Sequence, residues 1–274
     1  MLKDITLGQF FPGNSVFHKM DARTKLILTI LYIVIVFLAK TIESFAAVMV
    51  FTGVLIVCSR IPLKIILKGM KPLLFIMCFT FLFHIFFRKG EHLLVSFWKI
   101  HIYWEGIFYA VFMILRIAVL LAGTCVILTY TTSPIALTDG LERLLSPLKK
   151  IRLPVHEFAM MMSIALRFIP TLMEETDKIM SAQKARGAAF DEGGLIKRAK
   201  ALIPVLIPLF ASSFRRAEEL ATAMECRCYH GGEGRTKMHT THFAVRDYIA
   251  LVLFVGMGAA VVCGDRLWFV YRVF

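Results

Sequence analysis

The sequence predicts an all-α polytopic membrane protein, with about five transmembrane helices and further long helices on the cytoplasmic side. Three observations lead to this fold class. The 274 residues are 58% hydrophobic, whereas a soluble domain is usually about 45–50% apolar. The formal net charge is nevertheless +13, and the charges are separated from the apolar runs along the chain. No segment has the alternation of apolar and polar residues that is typical of a half-buried strand.

The N-terminal region is charged and lacks the apolar stretch of a cleaved signal peptide. We therefore expect the first membrane helix to act as its own insertion signal. The six cysteines form no recognisable disulfide framework. Three of them lie inside apolar runs, where a free cysteine behaves as a small hydrophobic residue.

Five apolar blocks are candidate membrane spans. The first two, 26–39 and 45–58, are 14 residues each, which is short of the roughly 20 residues that a perpendicular span needs. Taken alone, either could be a buried or an interfacial helix. Flanking residues such as Lys25 and Arg60 can extend their reach to the interface, so we predict a short transmembrane hairpin. The remaining blocks are 72–87, 107–130 and 248–263.

The orientation follows from the distribution of positive charge. Five spans put the two termini on opposite sides, and the positive-inside rule selects a cytoplasmic N-terminus. The cytoplasmic segments 1–25, 59–71 and 131–247 would then hold 25 Lys and Arg residues, against 6 in the external segments. The short loops alone give 8 against 6 in the same direction.

The segment 131–246 is too long for a simple connecting loop, and its apolar residues recur at helical spacing. We predict one helix after Ser133-Pro134, a second from Pro154 to Gly187 with a bend at Pro170, and a third from 195 to about Tyr229. Pro204 and Pro208 are expected to bend or break the third helix. The chain thus divides into membrane helices in 1–130, a cytoplasmic helical domain in 131–246 and a last membrane helix in 247–274.

The second and third of these helices end alike, in an arginine preceded by small and apolar residues on the same face. These arginines are Arg186 and Arg227. A basic residue in the last turn is common because it complements the helix dipole. Two such ends on two long helices favour a functional role, since the planar guanidinium binds a carboxylate through two hydrogen bonds and stays charged.

These ends resemble the paired Ala-Arg-Gly motifs of the transmembrane T component of energy-coupling factor transporters, the CbiQ/EcfT family. The segments Pro12-Gly13-Asn14-Ser15, His18 and Asp21-Ala22-Arg23-Thr24-Lys25 resemble the N-terminal signature of the family. The stretches 165–172 and 182–187 resemble its first coupling helix. The resemblance covers nearly the whole chain.

The resemblance implies a multi-pass subunit of a bacterial cell membrane that is a scaffold rather than an enzyme. Two ABC-type ATPases, EcfA and its homologue, would bind ATP and receive one coupling helix each. Ala185, Arg186 and Gly187 would engage one ATPase, and Cys226, Arg227 and Cys228 the other. An S component would bind the vitamin in the membrane. The chain itself would need no cofactor, no metal and no nucleic acid.

Two alternatives remain at this stage. One is the permease of a dedicated cobalt or nickel system of the same family. The other is an intramembrane enzyme or a self-contained secondary transporter, which would call for inverted repeats or clustered polar residues at the bilayer midplane; the sequence has neither. An ATPase is excluded, because the chain contains no Gly-x-x-x-x-Gly-Lys-Ser/Thr loop.

One departure from the family pattern concerns the second motif, which reads Cys226-Arg227-Cys228. Cysteine is a poorer left-handed cap than glycine, so the third helix is expected to continue to Gly231. Both cysteines are predicted to be small packing residues, because their spacing to His230, His239 and His242 does not match structural zinc sites.

Four further expectations concern charged residues and methionines. Arg116 and His84 lie in apolar runs, and we favour structural roles for both over functional ones. Glu174, Glu175 and Asp177 lie at helical distance from Lys178 and Lys184, which predicts a solvated face with ion pairs. Met160, Met161, Met162, Met173 and Met180 belong to a core or, where exposed, to a surface that slides against the S component.

Overall fold

The computed structural model describes residues 10–87, 93–97, 100–151, 154–188, 190, 194–232 and 243–273. These residues are almost entirely helical, which confirms the all-α class. The chain divides into two compact units, one of residues 8–140 with 241–274 and one of 1–7 with 141–240.

Among the described residues, the first unit contains six helices, and the first four of them follow one another through short connections. They are α1 (Ala22–Leu38), α2 (Ile42–Ser59), α3 (Leu63–Met70), α4 (Leu74–Phe87), α5 (Trp104–Thr124) and, from the C-terminal part, α9 (Val245–Val273). A 3₁₀ turn at Lys71–Leu73 joins α3 to α4, and a π-helical turn at Cys125–Thr129 extends α5. The boundary between the units falls within the next helix, α6 (Pro134–Leu144).

A short β-hairpin interrupts the helices between α4 and α5. Strand β1 (Leu93–Phe97) pairs antiparallel with β2 (Ile100–Tyr103), and Phe97 lies opposite Ile100. The expectation of a chain without strands is wrong here. The segment is rich in β-branched and aromatic residues, which suit a pleated ribbon, but it is too short for its alternation to stand out among neighbouring apolar runs.

Four helical segments are long and apolar enough to cross a membrane, counted over the described residues: Ile42–Ser59, Leu63–Phe87, Trp104–Thr129 and Val245–Arg266. They overlap four of the five predicted blocks, but the second begins at Leu63, nine residues before the predicted block 72–87. The fifth block forms α1, which has 17 residues, one fewer than α2. The chain is therefore a multi-pass membrane protein.

The core of this unit is built around α1. Leu28, Tyr32, Ile35 and Val36 are fully or almost fully buried, and they pack against residues of α2, α5 and α9. The Tyr32 hydroxyl lies 2.8 Å from Thr52 Oγ1 and donates to the Val119 carbonyl at 2.8 Å. Gly123 is required opposite this ring, because a Cβ there would lie 2.3 Å from Tyr32.

The second unit is dominated by two long helices, α7 (Val155–Ala185) and α8 (Leu195–Cys226). A 3₁₀ segment, Ser146–Ile151, precedes them. At 1.5 Å per residue each helix is about 47 Å long. Their ends agree with the predicted helices within two residues at the start and three at the end. The first predicted helix is shorter than expected, because α6 ends at Leu144 and Pro147 lies in the 3₁₀ segment.

Both long helices continue through their internal prolines, so the expected break in α8 does not occur. Pro208 cannot donate to the carbonyl of Pro204, four residues earlier. The side chain of Gln183 on α7 donates to that carbonyl instead, with Nε2 3.4 Å from the oxygen. A neighbouring helix thus satisfies an acceptor that the proline leaves free.

Candidate functional site

The end of α7 is a complete Schellman motif. Arg186 occupies the C-cap position, and Gly187 follows in the left-handed region at φ +87°. The Gly187 amide donates to the Lys184 carbonyl at 2.9 Å, and the Ala188 amide donates to the Gln183 carbonyl at 3.0 Å. These two bonds are the pair that defines the motif, and they satisfy two of the carbonyls that a helix end leaves without partners.

The end of α8 repeats this motif residue for residue. Arg227 is the C-cap, and Cys228 takes the left-handed position at φ +53°. The Cys228 amide donates to Glu225 at 2.9 Å, and the Tyr229 amide donates to Met224 at 3.1 Å. The expectation that the helix continues to Gly231 is therefore wrong. The two terminal hydrogen bonds hold a cysteine where glycine is favoured, and Gly231 forms a separate bend at φ +95°.

The two arginines consequently have the same backbone conformation. Arg186 has φ −87° and ψ 7°, and Arg227 has φ −93° and ψ 16°. Both side chains are exposed, and so are Ala185, Gly187, Cys226 and Cys228 beside them. In the part of the chain that the structure describes, neither guanidinium has a carboxylate within 4.0 Å. Each end is a protruding cation between small residues.

Exposure also corrects one expectation about the cysteines. Cys226 and Cys228 are not packed in an interior but exposed on both sides of Arg227. No group of three or more His, Cys, Asp and Glu side chains within the described residues could hold a metal ion. His239 and His242, which completed the cluster in the sequence, lie outside the described residues.

The polar contacts between α7 and α8 indicate that the two helices are antiparallel, because later residues of α7 contact earlier residues of α8. Glu175 Oε2 lies 3.0 Å from Arg216 Nη2, and Gln183 reaches the earlier residue Pro204. Arg186 and Arg227 each lie eleven residues beyond a member of the ion pair. In antiparallel helices, 22 residues at 1.5 Å each place the two cationic ends roughly 30 Å apart.

The acidic cluster on α7 is paired differently from the prediction. Glu175 forms its ion pair with Arg216 on α8 rather than with Lys178 or Lys184 on its own helix. A hydrogen bond from Ser212 and then the bond and charge of Arg216 lower the pKa of Glu175 below its usual value, against the opposing effect of partial burial. The carboxylate therefore connects the two helices.

Exposed apolar side chains lie on both long helices of this unit. On α8 they recur at helical spacing, and on α7 they include two of the methionines singled out in the sequence. They are Ile203, Leu206, Ile207, Phe210 and Phe214 on α8, and Phe158, Met161 and Met162 on α7. Exposed apolar patches of this kind mark contacts with a protein or with lipid.

Arg116 and His84 are found in the membrane unit. The Arg116 guanidinium donates to the carbonyl of Ala39 at the end of α1 and lies 4.8 Å from the centre of the Phe112 ring. This contact links α5 to α1, as expected of an interhelical structural residue. His84 packs edge-on against Phe83 on its own helix.

A buried polar joint, which was not predicted from the sequence, lies where α1 and α9 begin. The Lys25 ammonium donates to the Thr131 carbonyl at 2.8 Å and to Thr132 Oγ1 at 3.2 Å. Asp247 accepts the Asp21 amide at 3.1 Å. Lys25, Asp21 and Asp247 are all at most 7% exposed. All three side chains lie at the edges of apolar blocks, where charged side chains are expected to reach water. Only this position beside apolar residues could have indicated that they are buried.

A second unforeseen carboxylate belongs to Asp265 on α9. It accepts the Lys40 amide at 3.0 Å and the Thr41 hydroxyl at 2.7 Å, and the Ser44 hydroxyl also donates to it. Thr41 is the N-cap of α2. The carboxylate of Asp265, on a helix that is distant in sequence, thus supplies the negative charge that is favoured at the start of α2.

Known proteins resemble this chain over most of its length. A family model described as "Cobalt transport protein", CbiQ, matches residues 13–238. The protein named energy-coupling factor transporter transmembrane protein EcfT from Ruminiclostridium cellulolyticum is 54% identical over 91% of this chain and 92% of its own. Its namesakes from Clostridium kluyveri and Bacillus subtilis are 51% and 46% identical, over 91% and 94% of this chain and 93% and 97% of theirs.

Proposed function

The chain belongs to the CbiQ/EcfT family of transmembrane components of energy-coupling factor transporters, and from that membership we propose that it couples two ABC-type ATPases to a substrate-binding S component. In this role the chain carries out no reaction. ATP is bound and hydrolysed in the partner subunits, and the S component selects a vitamin or another micronutrient. Import is driven by movement that the scaffold transmits.

The observation that carries the proposal is the identity of the two helix ends. Arg186 and Arg227 occupy the same position of the same hydrogen-bonded motif, and both are exposed without a carboxylate partner among the described residues. Two related ATPases would present two related acidic grooves. Two equivalent cations on one scaffold fit such a pair better than a single binding pocket would.

The proposed contact is a charge-assisted, two-pronged hydrogen bond between each guanidinium and a partner carboxylate. The small neighbours Ala185 and Gly187, and Cys226 and Cys228 at the other end, let the helix tip enter a groove. A separation of roughly 30 Å, estimated from 22 residues at 1.5 Å each, would seat the ends on different subunits. The helices between them would transmit a change in the spacing of the ATPases.

The exposed apolar side chains of α7 and of α8 are the proposed contacts with the S component. They include Met161 and Met162, which are 58% and 41% exposed. Methionine is flexible and polarizable, so it adapts to a partner whose orientation changes. This supports the interpretation of the exposed methionines as a sliding surface.

A cobalt or nickel permease is the second candidate, because the matching family model is described as a cobalt transport protein. The relatives that are 46–54% identical are named instead as energy-coupling factor components, with no metal in the name, so we keep the metal permease as the second candidate. The substrate-binding protein that co-purifies with the chain distinguishes the two. A chain that imports substrate alone in liposomes would indicate a secondary transporter and contradict both.

The experiment is purification of the complex through a tag on this chain, followed by mass measurement of the intact assembly. We expect two ATPase subunits per copy. Arg186→Glu and Arg227→Glu should each remove one of them, because truncating one partner of a buried interfacial charge pair costs about 2–5 kcal/mol and charge reversal costs at least as much.

The control is Lys200→Glu, which makes the same change of charge at an exposed position of α8. It should leave both ATPases bound. Retention of both ATPases in the Arg186→Glu, Arg227→Glu double variant would refute the proposed contact.

A further inference from the structure

The short helix α3 carries an unpaired basic stripe. Lys64 and Lys68 of α3 and Lys71, the helical residue that caps it and begins the 3₁₀ turn, are all exposed, and at 100° per residue they lie within about 60° of one another around the axis. Arg60, exposed at the end of α2, adds a fourth cation just before the stripe. Among the residues that the structure describes, no carboxylate lies within 4.0 Å of these side chains.

The opposite side of α3 is anchored on the protein. Ile66 is 3% exposed and packs in a cluster with Ala122, Val126 and Tyr130. The Tyr130 hydroxyl donates to the carbonyl of Ile65 at 3.3 Å. The orientation of the helix is therefore fixed by the core, and the lysines face outward whatever surrounds them.

A third side of α3 is apolar and bare. Leu63 and Leu67, one turn apart, are 61% and 65% exposed. Leu67 lies about 40° around the axis from Lys71. Exposed leucines directly beside an unpaired lysine stripe are the pattern of a helix in the membrane interface, with its apolar side in the acyl chains and its cations at the headgroups.

The length of the span places α3 at that depth. The continuous apolar segment Leu63–Phe87 has 25 residues, or about 37 Å of helix, whereas the hydrocarbon core is about 30 Å thick. Because lysines are costly in the hydrocarbon core, we expect the excess at the end that carries them. The positive-inside rule puts this end on the cytoplasmic side, whose leaflet is rich in anionic lipid.

We propose that the lysine stripe of α3 binds the phosphate headgroups of anionic phospholipids in the cytoplasmic leaflet, with Leu63 and Leu67 against their acyl chains. The site is independent of the helix ends that contact the ATPases. An acidic protein surface is the competing occupant. The bare leucines favour lipid, because a soluble partner would leave them unexplained.

The test places a tryptophan at the site, as Leu67→Trp in a full-length chain whose native tryptophans are replaced by phenylalanine. The protein is reconstituted in vesicles of phosphatidylcholine and phosphatidylglycerol, with one lipid brominated at a time. Quenching of the tryptophan fluorescence by the brominated lipid gives the relative affinity of the site for that lipid. Each cation near an anionic surface strengthens binding to that surface by about fivefold. We therefore expect the site to prefer phosphatidylglycerol to phosphatidylcholine by at least about fivefold. The triple variant Lys64→Gln, Lys68→Gln, Lys71→Gln should lose this preference.

Two further variants control for charge and for folding. The Arg replacements at the same three positions should keep the preference. Lys197→Gln, Arg198→Gln, Lys200→Gln removes three exposed cations from α8 and should also leave it unchanged. The proposal is overturned if both lipids quench the tryptophan equally in the chain with its lysines intact. It is also overturned if the preference for phosphatidylglycerol survives in the Gln triple variant. Loss of a co-purifying subunit with unaltered quenching identifies a protein contact instead.

Discussion

Arg186 and Arg227 protrude because of how their helices end. A helix leaves its last four carbonyls without intrahelical partners, and at both ends the next two backbone amides bind two of them. The arginine side chain is then not needed to cap its own helix. It stays at the negative end of the helix dipole, where a cation is favoured, and its five donors remain available to another subunit.

Cys228 is the residue where this end is under strain. It holds φ +53°, whereas the equivalent Gly187 holds φ +87°. A left-handed conformation costs an L-residue roughly 1–2 kcal/mol. We predict that Cys228→Gly is neutral or stabilises the chain by up to about 1 kcal/mol, and that Gly187→Cys destabilises it by a similar amount. Thermal unfolding followed by circular dichroism measures both.

The two substitutions, Cys228→Gly and Gly187→Cys, together separate the effect of backbone strain on stability from the effect of side-chain packing. A Cβ at Gly187 would meet nothing within 4 Å, so only the conformation changes there. Clear destabilisation by Cys228→Gly would mean that the thiol makes a stabilising contact. It would contradict the predicted backbone strain at Cys228.

At the scale of helices, the Glu175–Arg216 pair sets the register of α7 against α8. Its members lie eleven residues before the two arginines, so sliding one helix would move one end relative to the other. The pair is partly exposed, and exposed ion pairs contribute little stability. Its expected effect is on geometry.

We predict that Glu175→Gln broadens the distance distribution between spin labels at positions 182 and 223, and that the charge exchange Glu175→Arg, Arg216→Glu narrows it again. Both labelled positions are exposed and lie four residues before an arginine, in a background without native cysteines. Because the pKa of Glu175 is lowered in the folded chain, the contact is fully formed above the ordinary carboxyl pKa. It should be lost only as the pH falls through the lowered value.

A distribution that is equally narrow in Glu175→Gln at neutral pH would show that apolar packing alone fixes the register. A distribution that broadens already between pH 7 and 6 would contradict the direction of the pKa shift.

The helices differ in how far the sequence could predict them. The type and extent of α7 and α8 followed from apolar periodicity, and for α7 also from an initial proline and a final glycine. The continuity of α8 did not, because the acceptor freed by Pro208 is satisfied by Gln183 from another helix. The partner of Glu175 is 41 residues away, and no local spacing rule reaches it. The stop at Cys226 depends on hydrogen bonds that override the preference for glycine.

At the scale of the whole chain, composition and charge indicated a multi-pass membrane protein and its candidate spans. They did not reveal how the membrane unit is held together. Tyr32 and Thr52 bind each other inside it, and Lys25, Asp21 and Asp247 form a buried joint. The hydrogen bonds that these side chains make offset the cost of burying them. Such partners depend on the packing of α1 against α5 and α9, which a linear sequence does not display.

The central claim is that the two arginine ends contact two different ATPase subunits. The most direct measurement is site-specific photo-cross-linking in the assembled transporter, with the reactive residue placed at Ala185 or at Cys226. These positions are equivalent, each directly before an arginine, and both are exposed. We predict that each captures an ATP-binding subunit, and that the two captures fall on separate subunits of one complex. Cross-linking of both positions to lipid, to the substrate-binding subunit or to one and the same ATPase would contradict the account.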